Sequence, residues 1–432
     1  MSLGDWNFLA GRLTGDGNIE VVETELPINI SSIARNLSSP SAMDGTITNS
    51  VRRLKAAGRP IFEPWNTVLI AEASGIIRGM SIYQKPQFTG AEWQLQTIGM
   101  SGYPLGMPYD GEISFTGVDP LDVFRHIWAH LQSFPGGNLG VTVSDLRSGI
   151  KLGGPEVDPL TAKHAAAKAI RDRLAVHEDD IFEDWTWYEQ PPGVNDWNDE
   201  LVKEYGGNTW DRPAGVAWLD KWMEDHPPPT DPEKPRKLNW WETTDLGAEI
   251  DNLAKEAPFD WVEQVGWQGD QPHCHIDLGY PTIGSRKENL RLVLGENMAS
   301  IPSVTEADYV NGAWVFGAGE GRERIRGRAG VADGRLRRLR VIEDKGISQV
   351  PQADARARDE MNATRGQFLV DTVEVFNHPN APLEAIELGD EIPLYAETDH
   401  VLVDTSVRVV GKEESPQNSD VASLTVVRMM QA

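Results

Sequence analysis

The chain has 432 residues, so about two to four domains of roughly 100–200 residues each are expected. Its 40 Lys and Arg stand against 66 Asp and Glu, a net charge of −26, which argues against a general nucleic-acid binder or a protein docked on an anionic membrane, since both need a cationic surface. Hydrophobic residues at 40% and charged residues at 25% exclude global disorder, and the single Cys274 excludes an intrachain disulfide framework or a multi-cysteine metal site.

No apolar run approaches the ~18 residues that a membrane helix needs. The opening Met1-Ser2-Leu3-Gly4-Asp5-Trp6 lacks the basic segment and apolar core of a signal peptide. The expectation is a soluble protein made inside a cell, with no transmembrane segment.

Residues 1–118 read as short strands. Ile19–Glu23, Thr67–Glu72 and Ile76–Tyr83 are rich in β-branched residues, and Ala73-Ser74-Gly75 between the last two is a hairpin-length turn. Trp93–Thr97 alternates as a strand with one wet face should, and a Gly/Pro cluster from Gly99 to Gly111 follows. The clearest helix comes next: Asp119 is suited to its N-cap and Pro120 to its first turn. Leu121, Phe124, Ile127, Trp128 and Leu131 recur at helical spacing until Pro135-Gly136-Gly137. A strand is expected at Leu139–Val143.

From about 155 to 275 the texture changes. Ala162–Leu174 has helical character, and Glu178–Glu204 holds ten acids and one Lys. Ten of the fifteen Trp fall between Trp185 and Trp267, and such aromatic enrichment argues for an irregular, partly helical insert rather than disorder. The last third returns to β: Trp314-Val315-Phe316, a glycine-rich turn, an arginine run, a helix from about Pro351 with Ala353, Ala357 and Met361 on one face, then strands at Gln367–Phe376, Val401–Val410 and Ser423–Val427. In Val401–Val410, Val401, Val403, Thr405, Val407 and Val409 share a face opposite Asp404, Ser406 and Arg408.

Several clusters invite a chemical reading. Gly317-Ala318-Gly319-Glu320-Gly321-Arg322 lacks the Lys-Ser/Thr ending of a phosphate loop and the spacing of a dinucleotide fingerprint, so it reads as a strand-to-strand turn. His126 and His130 lie four apart, sharing a helical face with Asp122, but Ile127 stands where a zincin needs Glu. In His273-Cys274-His275 adjacent side chains point to opposite faces of an extended segment, and no second Cys exists to complete a structural zinc site. Arg322–Arg340 contains eight Arg against Glu323 and Asp333, a local excess that pairs with the protein's own acids or with a partner's. No Gly-x-Ser-x-Gly elbow occurs. The acidic, Trp-rich insert is compatible with a glycosidase, where paired carboxylates flank the scissile bond and aromatic faces stack on sugars, although close acid pairs are inevitable among 66 acids.

A set of segments, kept in order along the chain, resembles the minor tail proteins of long-tailed actinobacterial phages, specifically the tail-hub (baseplate hub-like) family. They are Trp6-Asn7-Phe8-Leu9 with Glu25-Leu26-Pro27, Gly99-Met100-Ser101-Gly102-Tyr103-Pro104-Leu105-Gly106-Met107-Pro108-Tyr109, the helix Asp119–Leu131 with Pro135–Gly140, then Gly317–Gly321, Val341-Ile342-Glu343-Asp344-Lys345 and the Ala355–Arg358 helix. Residues 155–275 match least.

The resemblance implies an α+β, β-rich fold with β-barrel-like tube domains at 1–118 and, after a capped helix, within 346–432. Between them lie an α/β connection at 119–154, the acidic Trp/Pro-rich insert at 155–275 and a β-rich α/β region at 276–345. It implies a structural part of the virion at the tail tip, made in the host cytoplasm, that closes the tail tube, anchors distal proteins and opens for DNA passage. It implies no enzyme, no catalytic, cofactor-binding or metal-ligating residues and no cofactor. The implied partners are two further copies in a homotrimer, a distal tail ring protein, a tape measure protein and other minor tail or receptor-binding proteins, with no stable nucleic-acid binding. A further expectation is that the extension that carries wall-degrading activity in some tail-tip proteins is absent from this chain. The competing reading is a cell-wall or polysaccharide hydrolase using carboxylates in 155–275. Trp185, Trp187, Trp197, Trp210, Trp218, Trp222, Trp240 and Trp241 exceed what one small core needs, so some of them are expected to anchor neighbouring proteins.

Overall fold

In a computed structural model of the chain, residues 6–90, 92–155, 158–176, 212–229, 234–299, 304–306, 310–332, 334, 336–344, 347, 350–364, 368–370, 372–397 and 402–428 are described. The chain divides into two compact units. Met1–Tyr109, Pro120–Ser148 and Thr243–Ala432 form the first, and Asp110–Asp119 with Gly149–Glu242 form the second.

The N-terminal part of the first unit is built from β1 (Trp6–Leu13), β2 (Ile19–Glu23), β3 (Asn29–Asn36), β4 (Ala42–Ile47), β5 (Thr67–Ala73), β6 (Ile76–Tyr83), β7 (Trp93–Leu95) and β8 (Thr97–Gly99). An antiparallel sheet runs in the order β8-β6-β5-β1-β2. β5 is buried on both faces, which is why Val68-Leu69-Ile70-Ala71 reads as an unbroken apolar run. Ser74 and Gly75 both have positive φ, the geometry of the tight turn expected between β5 and β6. Ile30, Ile33, Met43 and Ile47 from β3 and β4 close over Leu69, Ala71, Tyr83 and Leu95 in one core cluster. Each such aliphatic side chain contributes about 1.5–3 kcal/mol when fully buried.

Trp93–Thr97, expected as one strand, is a corner between sheets. β7 pairs with β4, while β8 pairs with β6. The Thr97 hydroxyl keeps hold of β4, donating to the Met43 carbonyl at 2.9 Å and accepting from the Met43 N–H at 2.8 Å.

β9 (Glu112–Phe115) lies in the second unit, and α1 (Pro120–Gln132) returns to the first. α1 buries Leu121, Val123, Phe124, Ile127, Trp128 and Leu131, the stripe its spacing announced. Of the strand expected at Leu139–Val143 only Thr142–Val143 forms a ladder, because Gly140 takes φ +70° and turns the chain. In the second unit, α2 (Pro159–Val176) and α3 (Arg212–Asp225) pack over Ala166, Ala167, Ile170, Leu219 and Trp222, and β10 (Arg236–Asn239) pairs antiparallel with β9.

Asp245 caps α4 (Leu246–Glu256), accepting from the N–H groups of Gly247 and Ala248. The hairpin β11 (Asp260–Gln268) and β12 (Gln271–Gly279) follows, in register from Asp260↔Gly279 to Gln268↔Gln271. This hairpin is not among the expected elements, since Gln264, Gly266, Gln268, Pro272 and the histidines interrupt the β-branched signature.

The remainder comprises β13 (Val304–Glu306), β14 (Gly312–Phe316), β15 (Arg326–Gly330), β16 (Leu339–Glu343), α5 (Val350–Thr364), β17 (Phe368–Val370), β18 (Thr372–Phe376), β19 (Glu391–Glu397), β20 (Leu402–Ser415) and β21 (Asn418–Arg428). β14 sits between antiparallel β15 and parallel β16, and α5 covers one face of this sheet with Ala353, Ala357 and Met361. Gly327 permits that approach: a Cβ there would lie 2.1 Å from the Ala353 carbonyl carbon.

β20 is the longest strand, and successive stretches of it pair with β19, β21 and β3. A nine-stranded sheet thereby contains strands from both ends of the chain. The valines of β20 behave as their alternation implied: Val407 and Val409 are buried with Ile392, Leu394 and Leu424. The β-rich α+β class expected from the sequence is the class observed, and among the described residues the sheets stay open rather than closing into barrels.

Beside the β3–β20 junction the Lys412 ammonium lies 3.1 Å from the Glu414 carboxylate, with both side chains buried, and donates to the Leu383 carbonyl at 2.7 Å. Burial pushes the Lys412 ammonium below its usual range, opposed by the adjacent Glu414 charge. Lys412→Met strands the Glu414 carboxylate in the core and is expected to cost about 3–5 kcal/mol in a denaturant melt. Replacing both residues with apolar ones is expected to restore most of that loss. Equal losses in the single and double variants would show that the pair does not act as a unit.

Candidate functional site

The clusters singled out in the sequence fall in separate places. His126 and His130 lie on α1, their ring centroids 6.3 Å apart, and both meet Tyr109. The Tyr109 hydroxyl is 3.0 Å from His126 Nε2, and the His130 ring lies tilted 4.2 Å from the Tyr109 ring and edge-to-face 5.0 Å from the Phe134 ring. Partial burial lowers the pKa of His126. Asp122 is committed elsewhere, at 2.6 Å from Arg125, whose guanidinium also donates to the Ser144 and Leu146 carbonyls. This is an aromatic–imidazole cluster, and among the described residues no group of three His, Cys, Asp or Glu is placed to hold a metal ion.

His273-Cys274-His275 lies on β12 with its side chains alternating as the extended segment required. His273 and His275 share the Thr142 hydroxyl, at 3.0 and 2.7 Å, and His275 Nε2 is 3.1 Å from Asp277. A hydroxyl, an imidazole and a carboxylate in line resemble a nucleophile, base and orienting acid. Here, however, one hydroxyl is divided between two imidazoles on an exposed strand face, and its contacts fasten the Thr142–Val143 ladder to β12. Burial and the nearby His275 lower the pKa of His273.

Cys274 points the other way into the core, where burial and the Glu263 carboxylate push its thiol up. A thiol held neutral in this way is a core residue rather than a nucleophile. Glu263 itself is the group sequence reasoning missed. Its carboxylate is buried and accepts from the Ser41 hydroxyl at 2.9 Å, the Met100 N–H at 3.0 Å and the Ser101 hydroxyl at 2.7 Å. The Gly99-Met100-Ser101-Gly102 motif therefore exists here to receive a carboxylate from β11. Gly99 makes the room, since a Cβ there would lie 2.4 Å from Glu263 Oε2. The only sequence signal was the motif itself, because its partner lies more than a hundred residues away.

A cleft of about 320 Å³ opens beside β11, with Arg35, Asp277, Glu387 and Asp390 on its walls. Its charges are partly matched: Arg35 lies 3.9 Å from Glu387, and Lys287 lies 3.6 Å from Asp390. Gly317–Gly321 is the turn joining β14 to β15, as its composition suggested, with Gly319 at φ +95°. In the arginine run, Arg324 pairs with Glu343 at 3.2 Å and Arg340 with Glu360 at 3.1 Å. Of the insert tryptophans, Trp222 is buried and Trp218 packs against the same cluster. Trp240 and Trp241 are 62% and 49% exposed, in an edge-to-face pair 5.5 Å apart. Trp185, Trp187, Trp197 and Trp210, and the acids of Glu178–Glu204, lie outside the described residues.

No protein-family model and no curated protein matches the sequence. Among solved structures, the chain is similar in fold to the 43 kDa tail protein of prophage MuSo2 from Shewanella oneidensis, with a TM-score of 0.53 and 10% identity over 98% of each chain. Prophage tail protein gp18 from Listeria monocytogenes aligns at a TM-score of 0.47 and 9% identity, over 99% of this chain and 95% of that one. A tail protein from Neisseria meningitidis aligns at 0.46 and 9%, over 98% and 97%. The fold is thus one found in a phage tail protein, shared along its whole length.

Burial raises the pKa of Glu263 above its usual 4.5, against the pull of its hydrogen bonds. The folded state then holds this proton more tightly than the unfolded chain. The contribution is most favourable below about pH 4.5 and is lost as pH rises through the folded pKa. Glu263→Gln is therefore expected to melt at or above the wild-type temperature at pH 8, with the difference shrinking toward pH 4.5. Glu263→Ala leaves its donors unsatisfied at every pH, at about 1–3 kcal/mol for each one buried. A thermal melt series across that range distinguishes the two, and a Gln variant that is less stable at pH 8 than at pH 4.5 relative to wild type would reverse the assignment.

Proposed function

We propose that this chain is a structural protein of a bacteriophage tail tip, a hub that closes the end of the tail tube and anchors the distal tip proteins. The observation that carries the reading is the end-to-end likeness in fold, over 98% of both chains, to the Shewanella prophage tail protein. The ordered segments that resemble the actinobacterial tail-hub family support the hub within that class. One of them, Gly99–Gly102, has a definite structural task in receiving Glu263.

On this reading the chain works as a homotrimer, since three chains with two β-rich ends each supply six modules to a sixfold tube, and ring closure hides sheet edges. Its neighbours are a distal tail ring protein, the tape measure protein and other minor tail or receptor-binding proteins. The residue 155–275 insert holds some of these neighbours. The exposed Trp240–Trp241 pair supports that role, because tryptophan anchors dominate interface hot spots. The channel wall is acidic or neutral, so that passing DNA is not retained.

Inactivating the gene in a phage that encodes the chain is expected to abolish infectious particles, and immunogold labelling of intact virions is expected to mark the tail tip. Trp240→Ala with Trp241→Ala is expected to leave the chain in the particle while distal tip proteins are lost, as read by the protein composition of purified virions. Infectious particles assembled without the chain, or label on the capsid, would sink the tail-tip reading. Complete tips in the double-tryptophan variant would remove the insert from it.

A further inference from the structure

The sheet formed by β14, β15 and β16 has one face beneath α5 and one face open. Ala313 and Val315 of β14 turn toward α5, so Trp314 and Phe316 turn the other way. The register places Arg328 of β15 opposite Trp314 and Arg326 opposite Phe316, with Val341 of β16 beside Trp314. Arg326 stands 5.6 Å and Arg337 6.0 Å from the centroid of the Trp314 ring. Leu336, Leu339 and Val341 are 87%, 37% and 55% exposed. Arg324 and Arg340 are matched by acids of the same chain, but Arg326, Arg328 and Arg337 are exposed and form no ion pair among the described residues.

This combination is specific. Arginine and tryptophan are residue types enriched in interface hot spots. The run Arg322–Arg340 carries eight Arg and two acids, a net of +6, so the rest of a chain of −26 carries −32. We propose that the open face of the β14–β16 sheet is an assembly interface whose occupant is a second copy of this chain, presenting its acidic surface. Two cationic faces repel each other, so the contact is not made face to itself about a two-fold axis. It joins two different surfaces, and repetition of such a contact closes into a ring or grows as a filament. The inference deepens the trimeric reading above and rests on it for the size of the ring. A nucleic-acid phosphate backbone would also satisfy guanidinium groups, but it makes no use of Leu336, Leu339 and Val341. A protein partner buries them, and the arginine stems with them.

The test is the oligomeric state of the full chain by sedimentation velocity and native mass measurement, at low and high salt. The wild type is expected to form a closed ring whose assembly concentration rises by about tenfold or more between 50 mM and 500 mM NaCl, because charged contacts are screened. Arg326→Glu/Arg328→Glu/Arg337→Glu is expected to sediment as a monomer, and the matching Gln variant to assemble at intermediate concentration. These side chains are exposed, so thermal melts of both variants should overlay the wild type and separate lost assembly from lost folding. A reversal variant that assembles like the wild type overturns the proposal, as does a wild type that is monomeric at every concentration. So does a wild type whose only loss in the variant is affinity for a labelled DNA oligonucleotide. Virion composition decides the tail reading separately, since the chain can sit in the tail tip whichever surface joins its copies.

Discussion

The first unit depends on a short antiparallel junction between β3 and β20. Four pairs, from Asn36↔Gly411 to Ile33↔Glu414, join segments almost at opposite ends of the sequence. Closing so long a loop is entropically costly, and the cost grows only slowly with length, so the junction has to be secured by what surrounds it. Ile33 reaches into the N-terminal core, Val407 and Val409 reach into the C-terminal one, and Lys412 and Glu414 are buried beside the seam as a pair. β11 is drawn to the same place: the Ser38 N–H donates to the Trp261 carbonyl, and Arg408 of β20 binds Asp260 and the Ile283 carbonyl. Non-local pairings of this kind raise the contact order of the unit, which slows folding because loop-closure entropy must be met before the contacts form.

That constraint explains which parts of the fold were legible. α1, α5 and the β5–β6 hairpin declare themselves because their determinants are local: a stripe at 3.6 spacing, a glycine at a tight turn, β-branched residues between punctuation. β3 and β4 do not, because Asn29–Asn36 and Ala42–Ile47 mix serines, arginine and glycine with only a few apolar residues. Their strand character is imposed by partners on both sides. The hairpin β11–β12 was hidden for the same reason, its polar residues being tolerated where one face meets Thr142 and the solvent. Sequence alternation also fails at corners, and the passage from β7 to β8 through Gln96 is one: the pattern continues while the hydrogen-bonding partner changes.

The candidate chemistry was legible in residue type but not in environment. A pair of histidines four apart on a helix says nothing of the tyrosine that meets both, and Tyr109 is the shared partner of His126 and His130. The lone cysteine gave no hint that Glu263 lies beside it. Glu263 was invisible for a physical reason, since a buried carboxylate is recognised only by its donors, and these come from Ser41, Met100 and Ser101 in other segments. The motif Gly99–Gly102 has a steric and electrostatic cause: a glycine that makes room and a turn that aims an N–H and a hydroxyl at one carboxyl group.

The polar chemistry of the described residues is largely spent on joining segments. The hydroxyl of Thr142 ties a two-residue ladder to β12, Glu263 ties β11 to the Met100–Gly102 turn, and Arg408 ties β20 to Ile283 and Gly389. Groups fixed for reaction usually stand in a concave, largely apolar pocket with perturbed titration. Here Glu263 and Lys412, two of the buried charged groups, are enclosed by their own hydrogen-bond partners, while Trp240 and Trp241 are exposed. Trp240 and Trp241 in the second unit, and the arginine-flanked Trp314 in the first, are groups whose desolvation yields most when another surface covers them.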